Sequence, residues 1–125
     1  MIPKFRAWDK RENTMRDVAV LHFTKGGKVN SIEYWKTPSE LKSYHVRNLV
    51  LMQSTGLRDK NGVEIFEGDL VEHDDNINGT WETFEACEIV YDVDYAQFCF
   101  KNDASNFLSY YRNLCIIGNI HENPE

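Results

Sequence analysis

Residues 51–72 read LMQSTGLRDKNGVEIFEGDLVE. Asp59-Lys60-Asn61-Gly62 at its centre has the chemistry of a type I turn followed by a glycine at positive φ. Asp at the first position bonds the amides ahead of it, and Gly62 takes the left-handed conformation without a Cβ clash. A hairpin tip is expected there. Before it, NLVLMQS (48–54) is a near-continuous apolar run, the pattern of a strand covered on both faces. After it, Gly68-Asp69 leads from a tight turn into LVEHD (70–74). Gly56 is further punctuation, and the Gly56–Gly62 interval lacks the Gly-Lys-Ser/Thr ending of a phosphate loop. Every distinctive residue of the stretch therefore has a backbone task.

Strand signals continue on both sides. In KFRAW (4–8), Phe5 and Ala7 alternate with Lys4, Arg6 and Trp8, which predicts a strand with one buried face. DKREN (9–13) supplies turn residues, MRDVAVLHF (15–23) a hairpin partner ended by KGGK, and VNSIEYW (29–35) a third strand. Thr37-Pro38-Ser39-Glu40 has capping-box composition with proline at the first helical position, predicting a short helix over about Pro38 to His45. Farther on, FEACEIVYDV (84–93) is the clearest strand. Strict alternation places Trp81, Thr83, Glu85, Cys87, Ile89, Tyr91 and Val93 on one face, and Glu82, Phe84, Ala86, Glu88, Val90 and Asp92 on the other. AQFCF (96–100) is its expected hairpin partner. NDASNFLSYYRN (102–113) reads as a loop or irregular helical turn, and LCIIGNI (114–120) as a last strand with a bulge at Gly118.

A chain of 125 residues fits one domain or two small lobes sharing a core. No apolar run approaches the roughly 20 residues of a membrane span, and MIPKFRAWDK has no signal-peptide core, so the cytoplasm is the expected compartment. Cys87, Cys99 and Cys115 form no C-x-x-C pair. That argues against a disulfide scaffold or zinc knuckle and for small buried apolar residues in a reducing environment. Asn78-Gly79-Thr80 matches the glycosylation pattern and, with no secretion expected, is read as a turn. The net charge of −6 conceals a polarity: residues 1–60 hold 12 Lys and Arg against 6 Asp and Glu, residues 61–125 hold 2 against 14. Between Lys60 and Lys101 there is no Lys or Arg. Such asymmetry points to lobes that attract one another, to head-to-tail association, or to a charged partner.

Three blocks, KFRAWDKRENTM, LMQSTGLRDKNGVEIFEGDLVE and IIGNIHENPE, resemble in that order the signature blocks of the YopX-like proteins of phages and prophages, over essentially the whole chain. The resemblance implies a mainly β accessory protein in the cytoplasm of a bacterial host and carries over no catalytic residue. The Glu67-Gly68-Asp69-Leu70-Val71 entry also looks like the opening of an SH3-like barrel. The expected fold is thus mainly β (α+β). A small N-terminal lobe of hairpin and short helix, residues 1–63, would pack on an SH3-like barrel, residues 64–125, if the two are not one continuous domain.

Four constellations could carry chemistry. Glu67, Asp69, Glu72, Asp74 and Asp75 could gather oxygen ligands for a hydrolytic metal, but the spacing fits no calcium loop and only alternate strand members share a face. His73 beside Asp74 suggests a base and its orienter, with Cys87 or Cys99 as nucleophile, yet adjacent strand residues point oppositely; His22, His45 and His121 stand in no ligand spacing. Neither catalytic residues, a metal nor a cofactor is expected. Lys4, Arg6, Trp8 and Lys10 would line one strand face with an aromatic among cations, a platform for single-stranded nucleic acid. Glu82, Glu88 and Asp92 would form an acidic face for a basic partner, either another copy or a host or phage protein. The function that combines these features is a non-enzymatic, self-associating interaction module. Single-stranded nucleic-acid binding is the first alternative and a carboxylate-metal hydrolase the second. No membrane and no small-molecule substrate are expected.

Overall fold

The computed structural model describes residues 4–101, 108 and 111–122. They form a mainly β protein in which every strand pairing is antiparallel and the ladders fall into two sheets. The strands are β1 (Phe5–Asp9), β2 (Thr14–Phe23), β3 (Val29–Thr37), β4 (Glu40–His45), β5 (Leu49–Arg58), β6 (Glu64–Phe66), β7 (Asp69–Ile77), β8 (Thr80–Asp92), β9 (Gln97–Phe100) and β10 (Arg112–Asn119). The chain divides into two compact units, Met1–Gln53 and Ser54–Glu125, where the sequence suggested 1–63 and 64–125. The division falls inside β5, the apolar run that serves both units.

In the first unit the order is β4-β3-β2-β1-β5, with Ala7 opposite Leu51 and Arg16 on its two sides. Ala7, Ile32, Tyr34 and Leu49 form the core, and Val18, Leu21, Tyr44 and Leu51 pack against it. Asp9 is fully buried at the end of β1. Its carboxylate accepts from the amides of Arg11 (3.0 Å) and Glu12 (3.4 Å) and faces the Arg16 guanidinium at 3.5 Å, which pins the β1–β2 turn.

The helix expected over Pro38 to His45 is not formed; those residues are a turn and the edge strand β4. Thr37-Pro38-Ser39-Glu40 closes a β3–β4 hairpin with Thr37 opposite Glu40, and proline suits the second position of such a turn as well as it suits a helix start. Eight residues are too few to hold a helix on their own. Extended, they bring Tyr44 to 5.2 Å from Tyr34, ring to ring, and beneath the Arg11 guanidinium at 3.6 Å.

In the second unit the latter half of β5 pairs with β6, Ser54 opposite Phe66 and Arg58 opposite Glu64. A separate sheet has the order β10-β7-β8-β9. Among the described residues it is open rather than a closed barrel, because no ladder joins β9 to β10 and β9 spans only four residues. The Gly68-Asp69 entry fixes a turn, with Gly68 at φ 84°, the Phe66 amide donating to Asp69 and the Gly68 amide to Ile89; those bonds do not dictate closure. Ile65, Val71, Ile89, Phe100, Leu108 and Tyr111 make the core. The expected bulge at Gly118 is present as a register shift between Ile116 and Gly118. Most of the loop expected over 102–113 lies outside the described residues.

The expected hairpin tip is present. Gly62 has φ 81° and its amide donates to the Asp59 carbonyl at 3.0 Å. The alternation expected through β8 is broken. Ala86 sits at φ 54° and the register with β7 slips between Val71 and His73: Cys87 lies opposite Val71, Phe84 opposite His73. This bulge carries one extra residue, so the strand before it is out of phase with the strand after it. Phe84 and Glu82 consequently share the face of Cys87 and Ile89, while Trp81 and Thr83 share that of Glu88.

Candidate interaction surfaces

Asp59 is a structural hub. One carboxylate oxygen accepts from the amides of Asn61 and Val63, each at 2.9 Å, and the other from the amide of Ile116 at 3.0 Å. Burial raises its pKa, but these three amides outweigh burial and hold it below the ordinary carboxylate value.

The basic strand face is only partly a surface. Lys4 and Lys10 are exposed and Arg6 is half-buried, but Trp8 is only 8% exposed, and Lys10 lies beyond the end of β1. β1 is an interior strand paired on both edges, and its residues Ala7, Trp8 and Asp9 are buried on both faces. A base has no open indole face at Trp8 to stack on.

The acidic residues of β8 are likewise separated. Glu88 and Asp92 lie on one face and, through the Ala86 bulge, Glu82 lies on the other, directly opposite Asp75 on β7. Glu88 stands 3.8 Å from the Lys101 ammonium, and Asp92 accepts from the amides of Asp94 (2.8 Å) and Tyr95 (3.2 Å) in the following turn. Among the described residues no three His, Cys, Asp or Glu side chains gather as a metal site.

His73 and Asp74 point to opposite faces, as adjacent strand residues should. The His73 ring is stacked on Phe100 at 3.9 Å and meets Tyr111 edge-on at 4.6 Å. The Asp74 carboxylate accepts from the Thr83 hydroxyl and the Asn113 amide, each at 2.7 Å, and those bonds hold its pKa down. Burial pushes the Cys87 thiol up, the opposite of what a nucleophile needs.

Two features have no counterpart in the sequence-based expectations. The first is an apolar groove of about 630 Å³ in the first unit, lined by Phe5, Val18, Val20, Leu21 and Phe23 with Lys4 and Gln53. It opens where the β2–β3 register slips at Ala19, a residue too small to fill the space. The second is the far end of the β7–β8 hairpin. β10 pairs with β7 only as far as Asp74, and β9 pairs with β8 only over Ile89–Asp92. Beyond Asp74 the two strands pair with each other alone among the described residues, turning at Asn78 (φ 52°) and Gly79 (φ 88°). This arm exposes Ile77 and Trp81 by 39–40%, and the Arg112 guanidinium lies 3.5 Å from the Trp81 ring centre. Neither feature is legible in the sequence, since the groove depends on a register slip and the arm on where neighbouring strands stop.

A family model described as YopX protein matches residues 4–125. No curated protein matches the chain. Among solved structures, the crystal structure of protein EF1440 from Enterococcus faecalis is similar with a TM-score of 0.71 and 33% identity, covering 100% of this chain and 97% of that one. With the family model spanning nearly its whole length, the chain belongs to the YopX family.

Proposed function

We propose that the protein is a non-enzymatic interaction module of a phage or prophage, acting in the host bacterial cytoplasm, that associates with further copies of itself. The observation that carries this reading is that charge is partitioned by structural unit. Residues 1–53 hold 10 Lys and Arg against 5 Asp and Glu, and residues 54–125 hold 4 against 15. Opposite charge on two units of one chain favours head-to-tail contact between copies, a heterologous geometry that closes into a ring or extends into a filament. The alternative of single-stranded nucleic acid on Lys4, Arg6, Trp8 and Lys10 is weakened by the burial of Trp8. Light scattering through a salt series tests the proposal. A mass above the 14.6 kDa chain that declines as salt rises is expected, whereas a single chain throughout would refute it.

A further inference from the structure

The geometry points to a specific contact for that association: the β7–β8 arm of one copy seats in the apolar groove beside β2 of a second copy, with Trp81 as anchor. This rests on the self-association proposed above and names the surfaces that make it.

The arm is built to be covered. A two-stranded hairpin without neighbours is marginal in water, yet this one extends past β10 and β9 with Ile77 and Trp81 exposed. One of its cross-strand pairs is also unfavourable by itself. Asp75 lies opposite Glu82, like charges on one face, and Asp75 Oδ1 is shut from solvent without a hydrogen-bond partner. The Trp81 indole, by contrast, is already oriented: Arg112 stacks on it at 3.5 Å, and a rigid Trp beside an Arg is the usual anatomy of a binding hot spot.

The groove complements the arm in size and charge. About 630 Å³ falls in the range of ligand-sized pockets, ample for an indole. Residues 75–82 carry Asp75 and Glu82 and no Lys or Arg. The groove is lined in part by Lys4, and its exposed wall residue Phe23 leads straight into a turn carrying Lys25 and Lys28, within the unit that has the basic excess. Arm and groove are different surfaces, so each copy would present both, and the contact would repeat from copy to copy.

The test is photo-crosslinking of the full chain with p-benzoylphenylalanine in place of Trp81. Light- and heavy-nitrogen preparations are mixed at low salt, irradiated and digested. Mixed-isotope crosslinks from position 81 to residues 18–23 are expected; crosslinks only within one isotope, or to other segments, would overturn the inference. In parallel, Trp81→Ala and Phe23→Glu, each checked for an unchanged circular dichroism spectrum, should weaken association roughly tenfold or more. Wild-type association that both variants leave intact defeats this contact alone. A wild-type protein that stays at 14.6 kDa at low salt defeats the proposed function with it.

Discussion

Asp59 shows how much one side chain can organise when its neighbours are amides rather than charges. Local grammar made it legible, because an Asp three residues before a glycine has a known turn to make. Its third bond, to Ile116, joins residues 57 apart in sequence, and nothing in the local pattern announces it. Asp59→Ala removes the acceptor from three amides and should cost about 3 kcal/mol, read as a lower urea midpoint with an unchanged slope. The pH dependence follows from the depressed pKa. A carboxylate held below its unfolded value contributes stability that is fully present above about pH 4 and is lost as pH falls through the folded value. Asp59→Asn should therefore flatten the acid limb of a stability profile. An acid limb as steep as that of the wild type would assign it to other carboxylates.

β8 and β4 mark the two ways in which local pattern misled. Alternation gave β8 its existence but not its phase, since one extra residue at Ala86 exchanges the faces and puts Glu82 on the opposite side from Glu88. The bulge shows itself as a non-glycine residue in the left-handed region and a slip in register, and sequence displays neither. Ala86→Gly should relieve that strain by about 1 kcal/mol and raise Tm by roughly 4 °C. A lower Tm would mean that the methyl group contributes more than the strain costs. At β4, capping chemistry was real but short, and cross-strand packing of Tyr44 on Tyr34, with Arg11 over Tyr44, decided the outcome. Tyr44→Ala removes both contacts and should destabilise by roughly 2 kcal/mol, measurable by urea denaturation.

For the chain as a whole, charge was legible from the sequence and its structural meaning was not. The basic and acidic halves are visible by counting, but only the fold shows that they coincide with compact units divided at Gln53/Ser54. Strand content and the YopX resemblance were legible because turn residues and alternation are local and the signature blocks are contiguous. The groove at Ala19 and the arm beyond Asp74 arise from register slips and strand ends, which are non-local. Sedimentation of the intact chain tests the claim that oppositely charged units draw copies together. At about 50 mM salt, with a Debye length longer than 10 Å, the account predicts a mass that is a multiple of 14.6 kDa; at about 1 M salt, with screening within about 3 Å, it predicts a return toward the single chain. A mass of 14.6 kDa at both ionic strengths would contradict it.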